Sequence, residues 1–152
     1  MALSAPLLRA AQPVRLDQSM RVTFDSLGPV RLNMTVRQVS QVLRDHMRVS
    51  DFDAGCGYLE PVNGAVAFML HNHRVVRIDV VAPGWLTTEG IGIGAPIDDV
   101  RKAYGSRLRA SPSGSLVVDS RKHSLLFETD GTVVTSFRSG LTDAVARSHG
   151  CS

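Results

Sequence analysis

The sequence predicts an α+β domain: two tandem strand–helix–strands repeats forming a largely antiparallel sheet with helices packed on one face. Three observations predict it. The apolar spacing of Leu27 to Leu43 returns roughly sixty residues later, in Gly90 to Gly105. Val30, Leu32, Val36, Val39 and Val42 then fall on Ile91, Ile93, Ile97, Val100 and Ala103. A hairpin pattern recurs at nearly the same spacing, placing Phe68, Val76 and Ile78 on Phe127, Thr135 and Phe137. Finally, one such unit cannot bury its own apolar face, whereas two side by side complete a layer of sheet against a layer of helices.

Residues 1–26 read as a flexible N-terminal arm or a signal remnant. Met1 to Gln12 has no basic opening, and its apolar stretch ends at Arg9, which fits either the tail of a trimmed secretory signal or a disordered arm. No cysteine stands near this end to carry a lipid. Residues 27–152 form a single domain, with repeats at about 27–82 and 89–138 and a C-terminal tail. Each repeat opens on alternating aliphatics, the period of a short strand, and continues with apolar residues three or four apart, the period of a helix. Thr35 with Gln38 is a capping box. Pro96 suits the first turn of the second helix, Asp98 and Asp99 complement its dipole, and Gly105 suits its end.

Tyr58–Leu59 and Leu116–Val118 are expected to add a strand before each hairpin. The hairpin turns are Leu70-His71-Asn72 and Thr129-Asp130-Gly131, with Asn72 and Gly131 left-handed as a three-residue loop requires. That register puts Val66, Phe68, Val76, Ile78 and Val80 on one face, and Leu125, Phe127, Val133, Thr135 and Phe137 on the matching one. Pro83 to Thr88 links the repeats, and Arg109 to Gly114 is a surface loop.

Composition excludes several classes. The chain has 152 residues, 43% of them hydrophobic and 20% charged, enough to bury a core and unlike a disordered chain or a coiled coil. No apolar run approaches the roughly 18 residues of a membrane span. The 17 Lys and Arg against 14 Asp and Glu give a net +3, but these cations are scattered. The densest group is Arg101, Lys102, Arg107 and Arg109, so the charge argues for no nucleic-acid partner.

Cys56 and Cys151 lie too far apart for a CxxC metal or redox motif. Two readings remain, a long-range disulfide or two unrelated thiols. The polar surroundings of Cys151 favour the disulfide and with it an oxidising compartment.

A short strand ending in Asn33 or Gly94, followed by a capped helix carrying Val39 or Val100, resembles the SmpA/OmlA-type (BamE-like) small outer-membrane assembly lipoproteins. Its tandem arrangement is similar to the β-lactamase inhibitor protein fold. Residues 27–152 as a whole resemble an uncharacterised family of exported bacterial proteins. The match rests on Cys56-Gly57-Tyr58, Phe68-Met69 through Arg77-Ile78-Asp79-Val80, Gly94 to Gly105, Phe127 to Gly131 and Gly150-Cys151-Ser152. The resemblance implies the two-repeat fold, the Cys56–Cys151 disulfide and a periplasmic or secreted protein that binds another protein. It implies almost nothing about catalysis.

Several segments mimic sites. Gly90-Ile91-Gly92-Ile93-Gly94-Ala95 resembles a dinucleotide fingerprint, but the first repeat carries Val30-Arg31-Leu32 there, so a tight turn is expected and no cofactor. His71-Asn72-His73 offers two imidazoles at a hairpin tip without the further ligands zinc needs. Asp51-Phe52-Asp53 lacks the spacing of a calcium loop. No Gly-x-Ser-x-Gly elbow is present, and no catalytic residue is assigned. Trp85 is either a binding anchor or a plug over a core edge. Met69, Arg77, Asp79, Leu126, Glu128, Ser136 and Arg138 are expected on the open face of the sheet.

The function expected is therefore a non-enzymatic exported protein-binding module, inhibitor-like or envelope-associated. Its candidate contacts are Met69, Arg77, Asp79, Trp85, Leu126, Glu128 and Arg138. The alternatives are a small loop-built hydrolase and an envelope small-ligand binder.

Overall fold

Thr35 begins the first helix with its own side chain. Its Oγ1 accepts from the Gln38 amide at 3.2 Å, while Gln38 Oε1 accepts from the Thr35 amide at 2.9 Å, so two donors orphaned at the helix start are satisfied reciprocally. In the computed structural model, which describes residue 5 and residues 12–51, 55–62, 64–148, 150 and 151, this helix (α1) spans Val36–Val42 and buries Val39. The second helix (α2, Ile97–Tyr104) carries Asp98 and Asp99 in its first turn and buries Val100 and Tyr104. Pro96 sits at its N-cap, and Gly105, at φ +56°, ends it.

Two mostly antiparallel sheets surround these helices. Four two-residue strands, β1 (Arg21–Val22), β2 (Ser26–Leu27), β3 (Val30–Arg31) and β8 (Leu86–Thr87), pair in the order β3-β2-β1-β8, with β1 and β8 parallel. The larger sheet has eight strands. Its first half is β4 (Met47–Asp51), β5 (Gly57–Pro61), β6 (Val66–His71) and β7 (Arg74–Val80). Its second half is β9 (Leu108–Ala110), β10 (Leu116–Ser120), β11 (His123–Thr129) and β12 (Val134–Leu141). The spatial order is β4-β5-β6-β7-β12-β11-β10-β9. Thus β7 and β12 meet at the centre, in a register that pairs Val80 with Phe137, Asp79 with Arg138 and Arg77 with Gly140.

One face of the large sheet holds the main core. Leu59, Phe68, Ile78, Val118, Leu125, Phe127 and Phe137 pack there with Val39 of α1, Val100 and Tyr104 of α2, and Val22, Leu27 and Val30 of the small sheet. Tyr104, Phe127 and Phe137 form an aromatic series with ring centroids 5.6 and 5.8 Å apart, a spacing that adds to plain area burial.

The hairpins correct the expected register. In the first, Asn72 and His73 both adopt positive φ (50° and 63°), and a bulge after Met69 pairs Leu70 with Val75. Val75, 1% exposed, therefore takes the core position expected of Val76. In the second, Val134 is 1% exposed and Thr135 lies on the surface, again one residue from expectation. Adjacent valines explain both slips, because Val75-Val76 and Val133-Val134 offer an apolar side chain in either register. Part of the expected surface loop at Arg109 is instead the edge strand β9, which pairs with β10. A third helix (α3, Thr142–Ala146) lies on the opposite face of the sheet from α1 and α2, burying Val145 against Val117 and Leu126. The helices therefore do not all share one side.

Candidate functional site

Five residues make too short a helix to stand alone, so α3 depends on what it docks against. Besides Val145, two arginines from the central strands hold it. Arg138 Nε donates to the Val145 carbonyl at 2.6 Å. Arg77 Nη1 donates to the carbonyls of Ala144 at 2.8 Å and Arg147 at 3.0 Å. These oxygens belong to the end of a helix, where carbonyls run short of helical partners; the Ala144 oxygen accepts in addition from the Arg147 amide at 3.3 Å. Each guanidinium also meets a carboxylate: Arg77 pairs with Asp79 at 2.9 Å and Arg138 with Glu128 at 3.0 Å. Glu128 accepts in addition from Ser115 Oγ at 2.9 Å.

Beyond α3 the chain continues across the sheet. Gly150 lies so close against the Tyr58 hydroxyl of β5 that a Cβ there would overlap it. Cys151 closes a disulfide to Cys56, with the Cα atoms 5.5 Å apart. The described residues after β12 (142–148, 150 and 151) thus lead over β7 to a covalent attachment beside β5.

This segment corrects the expectation of an open sheet face. Met69, Arg77, Leu126 and Arg138 are buried at 1, 4, 6 and 7% exposure. Asp79, Glu128 and Ser136 are half-buried. Trp85 is in the main core, 3% exposed, and acts as the plug rather than the anchor.

Burial pushes the Asp79 carboxyl above its ordinary range, and the guanidinium groups of Arg77 and Arg138 oppose that push without cancelling it. A carboxyl whose folded pKa is raised holds its proton more tightly when folded. Its contribution to stability is complete below the unfolded value of about 3.9 and is lost as pH rises through the folded one. Asp79→Asn, which fixes the neutral shape, is therefore expected to gain on the native protein as pH goes from 4 to 7. Urea titrations of both proteins at the two pH values check this, and a stability difference that does not move, or moves the other way, contradicts it.

Beside α3 the surface opens into a groove of about 570 Å³, within the size range of small-molecule sites. Met69, Val76 and Leu141 supply its apolar lining, and Arg121, Lys122 and Arg147 supply three cations. His71, Thr142, Asp143 and Ala144 complete the wall. Among the described residues, none of those three cations makes an ion pair. Arg121 stands at φ +57° in the β10–β11 turn, a conformation that Gly or Asn adopts at lower cost. Across α3 a second cavity of about 300 Å³ includes Arg109, Ser113, Ser124 and Glu128. There Ser124 Oγ donates to Asp119 at 2.7 Å and lies 3.0 Å from Thr142 Oγ1. Hydrogen bonds from Arg109 and then Ser124 hold the Asp119 carboxyl below the usual range, which makes it a weak base.

The other sequence candidates lie elsewhere. His71 and His73 are exposed at the β6–β7 turn, and no group of three or more His, Cys, Asp and Glu is placed to hold a metal among the described residues. Asp51 ends β4, while Phe52 and Asp53 lie outside the described residues. Gly90 to Ala95 connect β8 to α2, where the amide of Gly94, at φ +91°, donates to the Val134 carbonyl at 2.8 Å. No helix among the described residues is long and apolar enough to cross a membrane.

Likeness to known proteins extends to the fold alone. The chain is similar to the crystal structure of the uncharacterised protein yfeY from Escherichia coli, at a TM-score of 0.52 and 12% sequence identity. The alignment covers 79% of this chain and 99% of that one. No family model matches the sequence, and no curated protein matches it significantly.

Arg121, Lys122, Leu141 and Arg147 were not among the sequence candidates. The one local signal was Ser120-Arg121-Lys122-His123, a polar break between two apolar runs, which marks a turn but not what the turn faces.

Proposed function

We propose that this chain is a non-enzymatic exported binding protein, working in the periplasm or outside the cell, and that its ligand is a small envelope component held in the groove beside α3. The observation that carries the reading is the groove itself, with an apolar lining and three cations left unpaired at its rim among the described residues. The Cys56–Cys151 disulfide supports the compartment, since such bonds persist where the surroundings are oxidising. Capture of another protein across the sheet face, through Met69, Arg77, Asp79, Leu126, Glu128 and Arg138, would require α3 and the tail to leave. A loop-built hydrolase is less well supported, because the serine best placed for it, Ser124, is bonded to the weak base Asp119.

Tandem duplication of one unit is our reading of the frame on which the groove is built, and details beyond the apolar pattern support it. Asn33 (φ 72°) and Gly94 (φ 91°) share left-handed backbones. Their amides donate to Val75 and Val134 carbonyls at 2.7 and 2.8 Å. The Val75 and Val134 amides in turn donate to Met34 and Ala95 carbonyls, both at 2.9 Å. The hairpin irregularities fall at Met69/Leu70 and at Glu128/Thr129, equivalent places in the two halves. The halves differ in how the chain leaves them: β8 follows the first, α3 and the disulfide-bonded segment the second. The groove belongs to that asymmetry.

Amide chemical shifts recorded while adding the low-mass fraction of an envelope extract test the proposal. Shifts confined to residues 69–76, 121–122 and 141–147 are expected. An unchanged groove in the presence of that fraction would rule the reading out.

A further inference from the structure

We infer that the groove takes a single-chain anionic amphiphile, an acyl or alkyl chain ending in a carboxylate or a phosphate. This rests on the small-ligand reading of the groove and names its chemistry. Two halves of the lining specify two halves of the ligand. Val76 and Leu141 present only carbon to the groove, and Met69, 1% exposed beneath them, backs that lining with a polarisable thioether that adapts to its neighbours without a polar atom that must be satisfied. At the rim Arg121, Lys122 and Arg147 stand against the single carboxylate of Asp143, a local excess of positive charge that attracts an anion and repels a cationic headgroup. Arg121 reaches that rim from a left-handed backbone.

The sheet beneath argues against an extended peptide. The groove lies over β6, β7 and the end of β12, inner strands each hydrogen-bonded to a neighbour on both sides, so among the described residues no free strand edge is available there for main-chain pairing. Recognition is left to apolar contact and to the cationic side chains, which is what a headgroup and a chain require. A groove of this volume accommodates a chain of about eight to twelve carbons with its headgroup.

Calorimetric titration of the disulfide-bonded protein with sodium decanoate and with decyl phosphate tests the inference. Both are used below their micelle-forming concentrations, with circular dichroism confirming that the fold persists. Saturable binding of one molecule per chain is expected, with amide shifts confined to the groove. Shortening decanoate to octanoate is expected to weaken binding roughly fivefold, as loss of two partly buried methylenes predicts. Neutral decyl maltoside and the variant Arg121→Glu/Lys122→Glu are each expected to weaken it at least tenfold. Should the double variant misfold, Lys122→Glu alone serves. Preference for decanoate assigns a fatty-acid source, and preference for decyl phosphate a phospholipid-derived one. Equal binding of decyl maltoside, non-saturable uptake, or undiminished affinity in a folded charge-reversed variant would overturn the inference. If neither anion binds while the low-mass fraction still shifts the groove, the ligand class is wrong and the small-ligand reading survives. If neither perturbs it, both fall.

Discussion

The double variant Cys56→Ser/Cys151→Ser is expected to be less stable than the native protein by about 4 kcal/mol, the loss associated with opening a closed loop of close to a hundred residues. The bond joins positions 95 residues apart, so it removes many conformations from the unfolded chain. It also fixes the tail against β5, where Gly150 meets Tyr58. The loss should therefore have a local part. With the staple gone, Arg77 still holds the Arg147 carbonyl just past α3, but the covalent attachment is lost, and Met69 should become reachable before the rest of the sheet opens. Urea unfolding of the native and double-serine proteins without reductant measures the global part. A difference under about 1 kcal/mol would mean that the tail is independently secured and that the staple adds little.

Gly140→Ala is expected to cost about 3–5 kcal/mol, in the range of the most damaging single substitutions. Gly140 is buried at φ +146°, opposite Arg77, where β7 and β12 join the two halves of the sheet. A Cβ built there would overlap the Val76 carbonyl oxygen and lie 2.8 Å from the Arg77 Cα. Both neighbours are backbone, so neither can swing aside as a flexible side chain would. Relief requires the central strands to part, and that movement would carry Arg77 away from the α3 carbonyls. Thermal and urea unfolding against the native protein provide the check. A variant within about 1 kcal/mol of the native protein would show that the close central register is wrong.

How much of this was legible in the sequence depended on range. The cap at Thr35 and Gln38 needs four adjacent residues, and the sequence states it outright. The stop at Gly105 is equally local. Each hairpin was legible as a hairpin, but its register was not, because Val75-Val76 and Val133-Val134 read alike in either phase. Of the two-residue strands of the small sheet, β3 falls on the Val30–Leu32 alternation, whereas β1, β2 and β8 are shorter than any period that could reveal them. Least visible was α3. Its five residues carry too little pattern, and the donors that hold it come from Arg77, 67 and 70 positions from its acceptors, and from Arg138 on the preceding strand. Missing that helix left Met69, Arg77, Leu126 and Arg138 as an open face and hid the groove, whose walls come from β6–β7, the β10–β11 turn and the chain after β12.

The claim beneath the functional reading is that the C-terminal segment covers the sheet and leaves only its flank accessible. Peroxide oxidation with peptide mass spectrometry tests it at one atom, since Met69 is 1% exposed while Met34 is half-buried. In the disulfide-bonded protein the Met69 sulfur should oxidise at least tenfold more slowly than that of Met34. Equal rates in the native, disulfide-bonded protein would mean that the face is bare, and the groove beside α3 would lose its wall.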